Sequence, residues 1–256
     1  MSVDRLPSSQ VARVLPGTCG LHLRRRKTRG PRHQSRHQMM LLLLLFNVLL
    51  LLPATTGLAA PAQRQLTIVA YGDSLTAGYG LRPEDSFPSQ LERALRARGH
   101  DVKILNAGVS GDTTSGGLER FDWAIPEAVD AVILELGAND ALRGLDPVLA
   151  RRNLEAIVAR LKARKIEVLL AGMQAPRNLG PDYVKAFDTM YPDLARKHGL
   201  LLYPFFLDGV ATRPDLNLAD GLHPNAKGIA EIVKRILPAT ETLISRVRSR
   251  LAGERG

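Results

Sequence analysis

From Leu66 onward, short apolar runs alternate with longer segments of helical period, and this alternation constrains the fold more than any other feature of the chain. The run 131–134 (Ala-Val-Ile-Leu), for example, is apolar at every position. Strands of that kind suit a sheet that is covered on both faces. Because strands that alternate with helices pair in parallel, the sequence predicts one α/β domain around a parallel sheet.

The periodicity also predicts the individual elements of this domain. Five strands are expected over 66–71, 102–106, 131–136, 167–171 and 200–203. Helices are expected over 83–98, 117–124, 147–163, 182–198 and 225–237. Residues 241–256 carry several arginines on a weak apolar pattern, which is typical of a final helix that frays. The predicted organisation is a leader over 1–62, a globular domain over 63–240 and a basic C-terminal tail over 241–256.

The positive charge of the chain is concentrated ahead of the globular domain. The formal net charge of +10 comes from 35 Lys and Arg residues against 25 Asp and Glu residues. Nine of the basic residues and one of the acidic residues lie in 1–62, which leaves 26 and 24 for the rest. A nearly neutral domain lacks the basic stripe that binds phosphate backbones, so no nucleic-acid partner is expected.

Residues 1–62 have the layout of a secretory signal peptide. An arginine-rich stretch precedes residues 39–52, which are apolar except for Asn47, and small residues follow up to Ala62. This run of fourteen residues is shorter than the roughly 20 apolar residues that span a bilayer. We therefore expect a periplasmic or secreted protein that contacts the membrane only through this leader. The alternative is an uncleaved leader that anchors the protein to the inner membrane.

Cysteine and histidine are scarce in the domain, which limits its chemistry. The single cysteine, Cys19, lies in the leader, so the domain has no thiol nucleophile, disulfide or zinc–thiolate site. The domain contains His100, His198 and His223, and their dispersed positions predict no metal site. His100 and His198 adjoin glycines at predicted helix ends, where a cation stabilises the helix terminus. His223 is left as the candidate base.

Polar residues follow the predicted strands, at the edge where open parallel sheets bind ligands. Ser74 lies in a glycine-flanked turn after the first strand and is a candidate nucleophile. The loop after the second strand contains Gly108 and Gly111, which can point a backbone N–H at a developing oxyanion or simply form a turn. Asn139 follows the third strand, where its amide can serve an oxyanion or cap the next helix.

Asp220 lies three residues before His223, in the loop that follows the fifth strand. A carboxylate at this spacing can bond one imidazole nitrogen and leave the other to face a hydroxyl group. Pro224 is suited to open the helix that follows and so to fix the direction of the histidine. Together the strand ends supply the parts of an acyl-transfer site.

These motifs resemble the conserved blocks of the SGNH, or GDSL, hydrolase superfamily. The blocks are matched by 72–75 (Gly-Asp-Ser-Leu), 110–112 (Ser-Gly-Asp), 137–140 (Gly-Ala-Asn-Asp) and 220–224 (Asp-Gly-Leu-His-Pro). Further matches, such as 75–79 (Leu-Thr-Ala-Gly-Tyr), are most similar to the bacterial thioesterase I / lysophospholipase L1 / arylesterase subfamily. The resemblance spans about 66–237 and implies a flavodoxin-like three-layer α/β/α sandwich with five parallel strands.

The resemblance also implies a role for each site residue. Ser74 would be the nucleophile, His223 the general base and acid, and Asp220 the residue that orients the histidine. The oxyanion hole would combine the N–H groups of Ser74 and Gly111 with the side chain of Asn139. Gly111 is preferred to Gly108 because it aligns with the Ser-Gly-Asp-Thr run. No cofactor and no metal are expected, and the protein is expected to be a monomer.

The expected substrate is a small-molecule ester or lysolipid, with an aryl, short-chain acyl or lysophospholipid group and a possible thioesterase side activity. Segments 141–147 and 173–183 follow the third and fourth strands and are expected to flank the site. Their apolar residues can line an acyl groove, although core packing explains them equally well; the candidates are Met173, Ala175, Pro176, Leu179 and Tyr183. Export would place the enzyme where acyl-CoA is scarce, which favours esters over thioesters.

Three alternatives remain at this point. A carbohydrate O-acetylesterase is less favoured because the chain has one Trp, five Tyr and six Phe, with no cluster after the strands to stack on sugar. A non-catalytic lipid-binding protein of this fold predicts the loss of at least one catalytic position, whereas every position is filled. A flavin-binding protein is less favoured because 73–75 (Asp-Ser-Leu) replaces the Ser/Thr-rich phosphate loop.

Overall fold

The computed structural model describes residues 64–254, which are built around a five-stranded parallel sheet. The strands are β1 (Leu66–Gly72), β2 (Val102–Gly108), β3 (Ala131–Glu135), β4 (Glu167–Ala171) and β5 (Leu201–Tyr203). Their spatial order is β2-β1-β3-β4-β5, and every neighbouring pair is parallel. This is the strand order of flavodoxin-like sheets, so the predicted fold class is confirmed.

Eight α-helices occur in the described residues. They are α1 (Ser74–Ala77), α2 (Phe87–Ala97), α3 (Thr114–Glu119), α4 (Phe121–Ala124), α5 (Ala138–Leu142), α6 (Pro147–Ala163), α7 (Pro181–His198) and α8 (Ala226–Gly253). Two short 3₁₀ turns, Pro83–Asp85 and Arg177–Leu179, precede α2 and α7.

The helices cover both faces of the sheet because the chain reverses direction across it. The connection from β1 through α2 to β2 moves one way, whereas the connections through α6 and α7 move the other way. Right-handed crossovers in opposite directions place their helices on opposite faces. Accordingly α2 packs with α8, and α6 packs with α3 and α7. All five residues of β3 are buried between the two layers.

The predicted strands agree with the structure to within two residues at each end. The helix predicted over 117–124 is instead two short helices, α3 and α4, which meet at Arg120. The helices α1 and α5, which follow β1 and β3, are not predicted by the sequence pattern. Each has only four or five residues, too few to show a helical period.

The C-terminal part of the chain also differs from the prediction. The helices expected over 225–237 and beyond Thr240 form one helix, α8, which continues through Pro238. Leu243, Ile244 and Val247 are buried in its second half. Because packing stabilises a helix more than propensity does, this buried face keeps the helix intact past the proline.

The predicted leader over 1–62 lies outside the described residues. Within 64–254, no helix combines the length and the apolar composition that a bilayer span requires.

Candidate active site

The candidate site lies at the carboxyl ends of three adjacent strands. Ser74 follows β1, Gly111 follows β2 and Asn139 follows β3, and these strands are neighbours in the sheet. The chain leaves β1 for β2 on one side, and β3 lies on the other side of β1. Open α/β sheets bind ligands at such a switch point.

A tight turn between β1 and α1 presents Ser74 at this edge. Asp73 caps α1, and its Oδ1 accepts a hydrogen bond of 3.0 Å from the N–H of Leu75. The helix ends after one turn at Gly78, whose φ of +86° is in the left-handed region. Ser74 is therefore the first helical residue, and its N–H has no partner within the helix.

Ser74, His223 and Asp220 form a continuous hydrogen-bonded chain. His223 Nε2 lies 2.9 Å from Ser74 Oγ, and His223 Nδ1 lies 2.7 Å from Asp220 Oδ2. Because a carboxylate accepts from Nδ1–H, the network assigns the neutral tautomer in which Nε2 can take the serine proton. The three residues that the sequence analysis grouped are thus brought together.

The loop itself keeps Asp220 ionised. Its Oδ1 accepts from the backbone N–H groups of His223 and Leu222 at 3.0 and 2.9 Å. These two bonds, followed by the bond from the His223 ring, lower the pKa of Asp220 to about 2. The carboxylate is therefore charged throughout the neutral range.

Backbone contacts fix the loop that carries His223. The N–H of Leu218 donates to the carbonyl of His223 at 2.7 Å, and Asn217 forms an isolated bridge with Pro224. Directly after the proline, Asn225 caps α8 by accepting from the N–H groups of Lys227 and Gly228. The imidazole is thus held between a bridged loop and a helix start.

Gly111 lies in the loop after β2 and Asn139 in α5 after β3, so the two residues flank Ser74. Gly111 has a φ of +83°, and Arg143 Nη2 donates to its carbonyl at 2.8 Å. Asn139 Nδ2 donates to the carbonyl of Asp112 at 2.9 Å and to Asp73 Oδ2 at 3.2 Å. The amide is therefore held between the β1 and β2 loops, next to the serine turn.

Gly108 has a packing explanation of its own. A Cβ at this position would overlap the backbone of Ala77 in α1, so glycine is required for the helix to approach β2. This contact accounts for Gly108 without any role in binding an oxyanion. Gly111 therefore remains the preferred candidate for the backbone N–H donor.

Arg120 joins the strand ends and was not singled out from the sequence. Its guanidinium is buried and donates to Asp112 Oδ2 at 2.5 Å, to the carbonyl of Ala107 at 2.9 Å and to the carbonyl of Gly72 at 2.9 Å. It also lies over the ring of Tyr71, 4.2 Å from the centroid. A single arginine thus ties β1, β2 and the Gly111 loop together. Its position on a short helix junction gives no sequence signal.

Two fully buried carboxyl groups lie beneath the serine. Burial raises the pKa of Asp73 to about 6 and raises the pKa of Glu135 well above its ordinary value, and the nearby Asp73 raises the latter further. Glu135 Oε2 accepts from Thr76 Oγ1 at 2.8 Å, whereas Oε1 has no hydrogen-bond partner in the described residues. The neutral form of Glu135 is therefore favoured.

A cavity of about 280 Å³ opens beside Ser74 and His223. Its remaining lining residues are Leu75, Ala138, Asn139, Ala141, Leu142, Met173, Gln174, Pro176, Leu207 and Leu222. Most of these side chains are apolar. The cavity can therefore hold an apolar group next to the serine hydroxyl.

Two of the five candidate substrate residues, Met173 and Pro176, line this cavity. The N–H of Ala175 donates to Asp188 Oδ1 at 2.8 Å, and Leu179 closes a 3₁₀ turn. Tyr183 donates its hydroxyl to the carbonyl of Leu145 at 2.8 Å. These three residues are outside the cavity lining and hold neighbouring segments. Leu142, from the segment 141–147 that was expected to flank the site, also lines the cavity. Leu222, which precedes His223, lines it as well.

The other two histidines of the domain bind carboxylates away from the serine. His198 ends α7 and lies 2.8 Å from Glu155 Oε1, and His100 follows α2 and lies 3.3 Å from Glu241 Oε1. Their structural roles at helix ends agree with the sequence analysis. Among residues 64–254, no group of three or more His, Cys, Asp or Glu side chains is arranged to hold a metal ion.

The chain matches the model of the GDSL-like lipase/acylhydrolase family over residues 70–230. It is similar to the esterase TesA of Pseudomonas aeruginosa, with 36% identity over 179 residues that cover 70% of this chain and 89% of that protein. It is also similar to an arylesterase of Vibrio mimicus, with 39% identity over 184 residues, 70% of this chain and 92% of that protein.

A solved structure agrees with these relatives. The crystal structure of AlinE4, an SGNH-hydrolase family esterase, is 49% identical and covers 70% of this chain and 97% of its own, with a TM-score of 0.60. The fold, the strand-end motifs and the relatives thus agree. The chain belongs to the GDSL-like lipase/acylhydrolase family.

Proposed function

We propose that this carboxylic ester hydrolase works through an acyl-serine intermediate formed on Ser74. The observation that carries the proposal is the hydrogen-bonded chain from Ser74 Oγ through His223 to Asp220, at 2.9 and 2.7 Å. This geometry satisfies the distances required of a nucleophile, its base and the group that orients the base.

In the first half of the reaction, His223 Nε2 takes the proton of Ser74 as Oγ attacks the ester carbonyl. The charged Asp220 stabilises the imidazolium that forms. The carbonyl oxygen becomes an oxyanion, which accepts hydrogen bonds from the N–H groups of Ser74 and Gly111 and from the Asn139 amide. His223 then protonates the leaving alcohol, and the acyl group stays on Ser74.

In the second half, water takes the place of the alcohol. His223 accepts a proton from the water as it attacks the acyl carbonyl, and the second oxyanion binds to the same donors. Collapse of this intermediate breaks the bond to Ser74, whose Oγ recovers its proton from His223. The carboxylic acid leaves, and the free enzyme is restored.

The lining of the cavity supports an aryl, short-chain acyl or lysophospholipid ester as the substrate. Its apolar wall includes Leu142, Met173 and Leu207, which suit an acyl chain or an aromatic ring. The described residues that line the cavity include no Phe, Tyr or Trp to stack on a sugar ring. This composition favours a lipid or aryl ester over an acetylated carbohydrate.

The test is a panel of p-nitrophenyl esters of increasing chain length, a lysophospholipid, an acyl-CoA and an acetylated xylan, assayed with the wild-type protein and Ser74→Ala. We expect hydrolysis of aryl and short acyl esters that Ser74→Ala abolishes. An activity that Ser74→Ala leaves unchanged on every substrate would contradict the serine mechanism. Preference for the acetylated xylan would instead support the carbohydrate esterase.

We also propose that the enzyme acts outside the cytoplasm as a monomer, with a hydrolase domain that begins at residue 63 and, because α8 is continuous, includes the residues after 240 that were expected to form a separate tail. The support is the composition of residues 1–62, in which a basic stretch precedes an apolar run and small residues. In that compartment, esters are more available than acyl-CoA thioesters.

A further inference from the structure

The ring of Tyr79 lies against the imidazole of His223. The two ring centroids are 4.5 Å apart, and the ring planes meet at 36°. Tyr79 is nevertheless 52% exposed, one of the most exposed large apolar side chains in the described part of the chain. Core packing therefore does not explain its place beside the histidine.

The backbone of Tyr79 is tied to the serine turn. The N–H groups of Gly78 and Tyr79 both donate to the carbonyl of Ser74 at 3.1 Å. Gly78 also packs closely on Ser86. A Cβ at position 78 would lie only 2.7 Å from the Cβ of Ser86. Tyr79 is thus fixed relative to Ser74 through its backbone and relative to His223 through its ring.

The contact matters most when the imidazole carries a charge. His223 becomes an imidazolium when it takes the Ser74 proton, and the face of an aromatic ring attracts a cation. Two carboxyl groups act on the imidazole: Asp220, to which it is hydrogen-bonded, and Asp73, with which it has a Coulombic interaction. Both carboxylates favour the imidazolium as well, so the contribution of the ring must be measured by a difference between variants.

We propose that Tyr79 is a positioning residue of the reaction, whose ring holds the imidazole of His223 in line with the Ser74 hydroxyl and stabilises the imidazolium. This inference rests on the proposed function, because it assigns to Tyr79 a part in the hydrolysis carried out by Ser74 and His223. The phenol hydroxyl takes no part in the step.

The kinetic test compares Tyr79→Leu with Tyr79→Phe. Tyr79→Leu is expected to lower kcat about two- to fivefold, the change that one cation–π contact at an exposed site provides, with KM within about twofold. Tyr79→Phe should recover most of this loss because it keeps the ring. Trp123→Leu is the matched control, since Trp123 is an exposed aromatic residue on α4 and outside the site.

A second measurement does not depend on catalysis. In a Ser74→Ala background, the imidazole of His223 is titrated by NMR with and without Tyr79→Leu. Loss of the ring should move the titration midpoint about half a unit toward lower pH, because the imidazolium loses its partner. Tyr79→Phe should leave the midpoint in place.

An unchanged midpoint in Tyr79→Leu would overturn the proposal, because a merely structural role lowers kcat without moving the titration. If Tyr79→Leu raises KM at constant kcat, Tyr79 is a substrate contact. If Tyr79→Phe loses activity, the role belongs to the hydroxyl. Either result would overturn the proposal. If the wild-type activity proves independent of Ser74, the proposed function fails instead. The NMR titration then still decides whether the ring favours the imidazolium.

Discussion

The amide of Asn139 is held in place before any substrate binds. Its Nδ2 group bridges the carbonyl of Asp112 and the carboxyl group of Asp73, which come from the loops after β2 and β1. The bond to Asp73 is the longer of the two, at 3.2 Å against 2.9 Å. Two contacts thus hold the side chain of Asn139, which the proposed mechanism uses as an oxyanion donor.

Asn139→Ala is expected to lower kcat/KM by about two to three decades, the usual loss when one oxyanion donor is removed. KM should change much less, because the donor acts on charge that develops in the transition state. The measurement is steady-state kinetics on a p-nitrophenyl ester, with circular dichroism to verify the fold. An Asn139→Ala enzyme within threefold of the wild type would remove this residue from the mechanism.

The buried acids Asp73 and Glu135 make stability depend on pH in an unusual direction. A carboxyl group whose pKa is raised on folding stabilises the fold below its unfolded pKa, and this contribution is lost as pH rises through the folded pKa. For Asp73 the window runs from about 4 to about 6, and Glu135 extends it upward. Asp220, with its pKa lowered to about 2, acts in the opposite sense and only at lower pH.

Glu135→Gln should therefore flatten the fall in stability above pH 5. The amide oxygen can still accept from Thr76 Oγ1, but the side chain cannot ionise. We expect the Tm of the wild type to fall between pH 5 and pH 8 by more than the Tm of Glu135→Gln, as measured by differential scanning calorimetry. Glu127→Gln, on an exposed loop, is the control. Identical pH dependence in Glu135→Gln and the wild type would contradict a buried titrating acid.

At the scale of elements, α8 shows how packing overrides a local signal. Pro238 removes one helical hydrogen bond, yet the helix continues to Gly253 and buries Leu243, Ile244 and Val247. The helix also contacts α2, β4 and β5, so its second half is part of the core. The residues after Thr240 therefore contribute to stability.

Leu243→Ala is expected to lower the free energy of unfolding by about 2–5 kcal/mol, because it removes a fully buried leucine and leaves a cavity. Ser249 lies on the exposed face of the same helix, so Ser249→Ala should change the free energy of unfolding by less than about 0.5 kcal/mol. Urea denaturation of both variants provides the comparison. Equal stability of the two would show that the end of α8 is dispensable.

The sequence predicts the sheet better than it predicts the short helices and the supporting contacts. Buried parallel strands are continuous apolar runs, so β3 and β4 are visible without a structure. By contrast, α1 and α5 are single turns that have no period. The proposed triad is recognisable because Asp220 and His223 are close in sequence and match a known motif. The contacts of Tyr79 and Arg120 join distant segments, so no local pattern indicates them.

For the molecule as a whole, charge separates two parts of the chain. The basic excess lies in residues 1–62, whereas the remainder has 26 basic and 24 acidic residues. A nearly neutral composition does not favour the binding of a polyanion such as DNA. The basic residues instead suit the first part of an export signal.

We expect the full-length protein, when expressed in a Gram-negative host, to reach the periplasm and to begin after Ala59 or Ala62. Osmotic-shock fractionation followed by N-terminal mass spectrometry measures both. Replacing Leu43 and Leu44 by arginine interrupts the apolar run and should keep the protein in the cytoplasm. Uncleaved protein in the inner-membrane fraction would indicate the anchored form instead.

The hydrogen bond between Ser74 and His223 joins residues that are 149 positions apart. Contacts of such long sequence separation form late, because closing the intervening loop costs entropy before any contact rewards it. During folding, the protein is therefore expected to stay inactive until residues 220–225 have docked on the sheet edge. In a refolding experiment, recovery of esterase activity should lag behind recovery of the far-ultraviolet signal. Recovery of activity would thus report the docking of residues 220–225 on the sheet edge rather than the formation of the helices.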